Sequence, residues 1–177
     1  ATTGSVLDPR SYSGVIAYEP SELVITARAG TPLTEVENTL AGHGQMLAFE
    51  PPHFGNTATL GGCIAVGLAG PRRTAYGPCY GGVRDFVLGA RLLDGRGEVL
   101  TFGGSVMKNV AGYDLPKLAI GSFGTLGVIV EATVKLRPRP DTDRLVVAWF
   151  ERVKDAGAGA RAIMASDVDS ARNVCVL

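Results

Sequence analysis

Apolar and polar residues alternate in several short runs that are typical of β-strands. The runs at residues 14–18 and 23–29 are rich in Val, Ile, Tyr and Thr, and a Glu-Pro-Ser turn separates them. Two further runs, at residues 86–93 and 98–102, are joined by an Asp-Gly turn that favours a hairpin. Residues 128–136 alternate again. We therefore predict a sheet that is built largely from hairpin strands.

Two other segments have helical character. After Thr31 and Pro32 the apolar residues recur at helical spacing, which predicts a helix with Thr31 as its N-cap and Pro32 at its first position, ending at Gly42. Residues 59–70 are almost all small, and Thr59 can cap a short helix there. Such a helix either packs so tightly that larger side chains do not fit, or leaves its N-terminus free to bind an anion.

A proline-rich break divides the chain. Arg137-Pro138-Arg139-Pro140 follows the last of the alternating strands, and a strand, a helix and a second strand are predicted after it. A unit of that size does not bury both faces of its own sheet. We therefore expect a first domain at residues 1–138 and the start of a second, truncated domain at residues 139–177. The predicted elements of the second domain lie at residues 145–150, 152–166 and 172–177.

Composition narrows the functional classes. The formal net charge is zero, which argues against the basic surface that nucleic acids and anionic membranes require. Cys63, Cys79 and Cys175 are odd in number and lack metal-ligand spacing, as do His43 and His53. We therefore expect free thiols and no autonomous metal site. No run of about twenty apolar residues predicts a membrane span.

Glycine is concentrated in the middle of the chain, between residues 50 and 104 and again at Gly121, Gly124 and Gly127. The Rossmann fingerprint and the P-loop are both absent from the sequence. The glycines alone indicate backbone that lies close against a flat or charged ligand whose identity they leave open.

The middle of the chain carries an ordered series of motifs. The series is Pro51-Pro52-His53-Phe54-Gly55-Asn56-Thr57-Ala58-Thr59-Leu60-Gly61-Gly62, then Tyr76-Gly77, Val83-Arg84-Asp85-Phe86, Lys108-Asn109, Gly112-Tyr113-Asp114 and Gly121-Ser122-Phe123-Gly124-Thr125-Leu126-Gly127. In this order the motifs resemble the FAD-binding domain of the vanillyl-alcohol oxidase and p-cresol methylhydroxylase (PCMH) superfamily over residues 14–138. Within that superfamily, the sequence around residues 44–53, 67–73 and 106–115 is similar to the FAD-binding E subunits of bacterial glycolate oxidases.

The resemblance implies an α+β fold, with an antiparallel or mixed sheet flanked by helices and followed by an α+β cap domain. It also implies FAD as the cofactor, with Lys108 entering the same region. A valine at Gly61 or Gly62 is then expected to occupy the cofactor's place. The residues that the family pattern assigns to the cofactor are Pro51, Gly55, Thr57, Thr59, Gly61, Gly62, Gly67, Gly77, Asn109, Gly121, Gly124, Thr125, Gly127, Val128 and Ile129.

The implied function is oxidation of a small 2-hydroxy acid such as glycolate. It takes place in a cytoplasmic complex with a second flavoprotein subunit and an iron-sulfur subunit, which associates with the inner face of the membrane. In this family a subdomain with a pyrophosphate loop precedes the matched region. We expect the present chain to lack that subdomain and therefore to hold FAD weakly or not at all by itself. A non-catalytic assembly subunit that keeps the flavoprotein fold is the alternative.

Individual polar residues leave two interpretations open. His53 either lies near the flavin and takes the substrate's hydroxyl proton, or is satisfied by its own loop. Arg72 and Arg73 either bind a substrate carboxylate or form an exposed pair. Cys63 lies among small apolar residues and is interpreted as a core residue. Catalytic residues are left unassigned.

Overall fold

The structure is a computed structural model that describes residues 6–70, 73, 81–104, 114–142 and 147–165. Its helices are α1 (Leu33–Ala41), α2 (Leu60–Val66), α3 (Val83–Phe86), α4 (Leu115–Ala119) and α5 (Val153–Ala165). Its strands are β1 (Val15–Glu19), β2 (Val24–Arg28), β3 (Gln45–Met46), β4 (Val87–Leu93), β5 (Val99–Gly103), β6 (Val128–Lys135) and β7 (Arg137–Pro138). In this part of the chain, no helix is long and apolar enough to cross a membrane.

Five of the strands form one antiparallel sheet in the order β1-β2-β6-β4-β5. β1 and β2 are the first predicted hairpin, β4 and β5 are the second, and β6 pairs with both β2 and β4. The five predicted strands are therefore confirmed to within one or two residues at their ends, and so is the α+β fold. The strands of each hairpin are neighbours in the sequence, whereas β6 comes from a distant part of the chain and lies between the two hairpins.

One face of the sheet carries the hydrophobic core. Alternate residues of β2 and β6 point to this face, where α1 and α2 contribute their apolar sides. Phe49 and Phe86 are both buried there, with ring centroids 6.0 Å apart. The buried residues that the sheet and the two helices contribute include Ile25, Ala27, Ala132, Val134, Leu33, Val36, Leu40, Leu60 and Ile64.

Helix α1 lies where the periodicity predicts, but its start differs from the prediction. Pro32, which makes no side-chain cap, is the N-cap residue, and Leu33 is the first helical residue. The hydroxyl of the fully buried Thr31 accepts from the N–H of Gly14 at 2.9 Å and lies 2.7 Å from the carbonyl oxygen of Arg28. Thr31 as the N-cap is therefore wrong, because its hydroxyl stabilises the end of the β1-β2 hairpin.

The proline-rich break is partly structured. Arg137 and Pro138 form β7, which pairs antiparallel with β3. Beyond the break, α5 confirms the predicted helix, whereas residues 147–150 have no regular secondary structure. The described part of the predicted strand at 145–150 is therefore not a strand, and the predicted strand at 172–177 lies outside the described residues. The boundary between residues 138 and 139 stays a prediction.

Candidate functional site

Three of the segments assigned from the sequence meet at one end of the fold. The loop 51–59 leads into α2, and the turn 120–127 lies against the far end of that helix. The N–H groups of Gly121 and Phe123 donate to the carbonyl oxygens of Ile64 and Ala65, at 3.3 and 2.9 Å. These bonds bring together parts of the chain that are about sixty residues apart in sequence.

A cleft of about 220 Å³ opens between the loop 51–59 and α2. It is smaller than the roughly 300–1,000 Å³ of sites that enclose a ligand, so the described residues do not by themselves enclose a molecule the size of FAD. Most of the side chains that line the cleft are apolar, which fits a flat aromatic group such as a flavin. The lining consists of Pro52, His53, Phe54, Thr57, Ala58, Thr59, Gly62, Cys63, Val66 and Leu68.

The two adjacent glycines of α2 face different surroundings. A Cβ on Gly61 would lie 2.4 Å from the Cβ of Ala29, so this glycine is required by packing against the end of β2. Gly62 is exposed and lines the cleft, and a Cβ there would meet only the hydroxyl of Thr59, at 3.1 Å. The expectation that a side chain at Gly61 enters the cofactor's space is therefore wrong, whereas Gly62 does face open space.

The N-terminus of α2 is not free for an anion. Thr59 caps the helix as predicted, and its hydroxyl accepts from the N–H of Gly62 at 3.2 Å. The N–H groups of Leu60, Gly61 and Cys63 donate to the carbonyl oxygens of residues 31, 29 and 59. The first four helical N–H groups are thus bonded within the protein, which favours the tightly packed helix over the anion site.

Free backbone donors lie instead in the loop before the helix. The N–H groups of residues 53–55 have no acceptor among the residues that the structure describes, whereas residues 54–57 form a hydrogen-bonded turn. Phe54 and Gly55 both have left-handed backbone conformations, with φ of 46° and 90°. The side chain of Phe54 is 77% exposed beside the cleft. Exposed donors beside an apolar cleft fit a cofactor that has both phosphate and ring portions.

The turn 121–127 shows the same character on its outer side. Gly121 and Gly124 have φ of 75° and 77°, and a Cβ on Gly124 would meet no atom within 4 Å. Thr125 is exposed, but its hydroxyl donates to the carbonyl oxygen of Ser122 at 2.6 Å. Gly124 therefore presents bare backbone to the exterior, while the hydroxyl of Thr125 is used inside the turn.

Other assigned residues have structural surroundings. Gly67 ends α2 with φ of 72°, and a Cβ there would lie 3.1 Å from the nitrogen of Gly121. Gly127 faces the carbonyl oxygen of Leu93, which a Cβ would approach to 2.9 Å. The side chain of Ile129 is 6% exposed and belongs to the core. Two further assigned residues also lie away from the cleft lining: Pro51 is buried beside a second cavity, and Val128 begins β6.

His53 and Cys63 both line the cleft and lie close to Glu37 of α1. The Nε2 atom of His53 is 3.2 Å from Oε1 and 3.1 Å from Oε2 of Glu37, so the ring is bound by a carboxylate and not by its own loop. Burial raises the pKa of the Cys63 thiol to about 12, and the charge of Glu37 acts in the same direction. Cys63 packs against the core as expected, but it also faces the cleft.

Several sequence assignments lie outside the described residues. These are Gly77, Asn109, Lys108 and Arg72. Arg73, in contrast, is described: it is exposed, and its N–H donates to the carbonyl oxygen of Gly70 at 3.2 Å. The sequence reasoning missed Glu37, because nothing in a helical pattern shows which distant loop a polar residue contacts. Among the described residues, no group of three or more His, Cys, Asp or Glu side chains is arranged to hold a metal ion.

The antiparallel sheet, with the mostly apolar cleft beside α2, is the fold that the comparison with known proteins identifies. A family model described as an FAD binding domain matches residues 1–103. The chain belongs to this family of FAD-binding domains. The resemblance that the sequence motifs indicate is therefore confirmed.

The curated relatives include subunits of glycolate oxidase and D-lactate dehydrogenases. The chain is 58% identical over 138 residues to glycolate oxidase subunit GlcE of Escherichia coli, a match that covers 78% of this chain and 38% of that protein. It is 31% identical to glycolate oxidase subunit GlcD of Bacillus subtilis, over 93% of this chain and 34% of that protein. The chain thus spans little more than a third of the length of these relatives.

A solved structure agrees with the fold. Alkyldihydroxyacetonephosphate synthase superimposes with a TM-score of 0.61 and 28% sequence identity, over 76% of this chain and 23% of that one. A second crystal form of the same enzyme gives a TM-score of 0.60. The fold of about three quarters of this chain therefore recurs in a larger protein.

Proposed function

We propose that this chain is part of the FAD-binding subunit of a complex that oxidises glycolate, or a similar 2-hydroxy acid, to the 2-oxo acid. The observation that carries the proposal is the 58% identity to the E. coli glycolate oxidase subunit. That identity is well above the 31% shared with the GlcD subunit of B. subtilis. It favours the GlcE type of subunit over the other dehydrogenases of the family.

Within the proposal, the cleft holds one part of FAD. The N–H groups of residues 53–55, which have no acceptor among the described residues, suit phosphate or ring oxygens, and Gly62 leaves room for a flat group against α2. Gly124 adds bare backbone on the side of the turn 121–127. When bound, FAD supplies the acceptor for the hydride that leaves the hydroxyl-bearing carbon. The chain's own residues orient that group and exclude water from it.

The small size of the cleft has a consequence for cofactor affinity. At about 220 Å³ it covers one face of the cofactor, so further protein surface must enclose the rest. We therefore propose that the full-length protein holds FAD firmly and that the 177-residue chain alone holds it weakly. A stoichiometric flavin spectrum from the purified 177-residue chain would contradict this.

The proposed partners are a second flavoprotein subunit and an iron-sulfur subunit that receives the electrons. The subunit names of the relatives support a complex. The proposal includes a cytoplasmic location, with association with the inner face of the membrane through that complex.

The experiment measures flavin content and reduction in the isolated full-length subunit and in the complex. FAD at one per subunit, reduced by glycolate under anaerobic conditions, is the expected result. Flavin that glycolate reduces only in the complex would assign this subunit an electron-relay role. A flavin-free subunit within an active complex would indicate the assembly role instead and refute the proposal.

A further inference from the structure

The pair formed by Glu37 and His53 lies between two cavities. One is the cleft described above, and the other has a volume of about 510 Å³. His53 lines both cavities, and Glu37 lines the second. Both side chains are about one-third exposed, so the pair is within reach of a small molecule in either cavity.

The contact with Glu37 bears on which nitrogen of the imidazole ring carries the proton. A carboxylate accepts hydrogen bonds, so the contact favours the form of His53 in which Nε2 donates to Glu37. The other ring nitrogen, Nδ1, has no hydrogen-bond partner among the described residues. A carboxylate that binds one nitrogen of a histidine selects its tautomer and leaves the other nitrogen as an acceptor.

The two cavities differ in the titratable groups that line them. The second cavity also contains Glu50 and Arg139, so its charges are mixed. Among the described residues that line the first cleft, the other titratable side chain is Cys63, whose thiol burial keeps protonated. Glu37 is thus the carboxylate bound to the ring, and Nδ1 of His53 is the ring nitrogen without a partner among the described residues.

We propose that Glu37 is a positioning residue that holds His53 with Nδ1 as a proton acceptor for the hydroxyl group of a 2-hydroxy acid. Bound FAD would supply the acceptor for the hydride of the hydroxyl-bearing carbon and so for its two electrons. Nδ1 of His53 would take the O–H proton, and the C–O bond would become a carbonyl. The role of Glu37 extends the proposed function, on which it rests.

The first test measures the tautomer directly and needs neither substrate nor turnover. The full chain is labelled with ¹⁵N-histidine, and the imidazole resonances are assigned with His53→Gln; His43 serves as the internal reference, since the chain has only two histidines. The expected result is Nε2–H for His53 and a change in the tautomer populations in Glu37→Leu, which offers the ring no hydrogen-bond partner. A tautomer that is unchanged in Glu37→Leu would overturn the positioning role.

The second test is kinetic and uses the holoenzyme complex. His53→Gln is expected to lower kcat for glycolate by roughly 10²–10⁴-fold. Glu37→Gln is expected to lower it by about tenfold or more with little change in KM. Glu35→Gln, an exposed carboxylate on the same helix, is the matched control and is expected to keep wild-type kcat.

Two outcomes separate this inference from the proposed function. A wild-type complex that oxidises glycolate together with an equally active His53→Gln variant would overturn the proton transfer alone. A wild-type holoenzyme that oxidises no 2-hydroxy acid would overturn the proposed function and the proton transfer with it. The tautomer measurement would still decide in that case whether Glu37 holds the ring.

Discussion

The adjacent glycines Gly61 and Gly62 of α2 provide a matched pair of substitutions. One is expected to lower the stability of the fold and the other to lower the affinity for FAD. In Gly61→Ala the new methyl carbon would lie 2.4 Å from the Cβ of Ala29 and 3.0 Å from its Cα and carbonyl oxygen. Carbon atoms pack at about 3.5–4.0 Å, so one side must move by about an ångström. Ala29 resists this movement, because its N–H donates to Val130 and its carbonyl accepts from Gly61, both at 2.8 Å.

The expected magnitude follows from two opposing terms. Overpacking costs about 1–3 kcal/mol, and alanine recovers up to about 1 kcal/mol of helix propensity relative to glycine. We therefore expect Gly61→Ala to lower the free energy of unfolding by about 1–2 kcal/mol. In a domain of this size that corresponds to roughly 2–8 °C in Tm.

Gly62→Ala has the same propensity gain without the backbone clash, since the nearest atom is the Thr59 hydroxyl at 3.1 Å. Its free energy of unfolding is expected to stay within about 1 kcal/mol of wild type. In the full-length protein, however, the methyl group projects into the cleft, and the Kd for FAD is expected to rise by about tenfold, or 1.4 kcal/mol. Urea denaturation and flavin titration of both variants give the two quantities.

Two results would refute this reasoning. Gly61→Ala with wild-type stability would show that Ala29 does not confine that glycine. Gly62→Ala with unchanged flavin affinity would remove the cleft from the cofactor site.

Two further perturbations test the packing around the site. Thr31→Val should lower the free energy of unfolding by about 1–3 kcal/mol, because it leaves the Gly14 N–H without its acceptor. Urea denaturation measures this loss, and the exposed control Thr34→Val should show little change. Burial raises the pKa of the Cys63 thiol from 9.0 to about 12, so the protonated thiol contributes stability that is fully present below pH 9 and lost as the pH approaches 12. The stability difference between wild type and Cys63→Ala should be constant below pH 9 and change above it; a difference that is independent of pH would contradict the assignment.

The hairpins could be predicted because the signals that specify them are local. Alternation and the turn at Asp94 lie within a few residues of each other, and the structure confirms both hairpins. The proline-rich break was harder to interpret from sequence. Pro138 has no N–H to donate, which is compatible with the short edge pairing between β7 and β3 but also with a plain domain boundary.

The site was only partly predictable for the same reason. Gly61 and Gly62 are equivalent in the sequence, and only the position of Ala29 shows that one serves packing and the other faces the cleft. The contact between Glu37 and His53 joins a helix to a loop sixteen positions away, and no local pattern specifies it. The motif series located the cofactor region, whereas the division of roles within it depends on tertiary contacts.

The most direct test of the central claim is the anaerobic reduction of the full-length protein by glycolate, in its complex, followed by flavin absorbance. We predict one FAD per subunit of this type and loss of the oxidised flavin absorbance when glycolate is added, with glyoxylate formed in equal amount. A full-length subunit that contains no flavin, or a flavin that no 2-hydroxy acid reduces, would contradict the account.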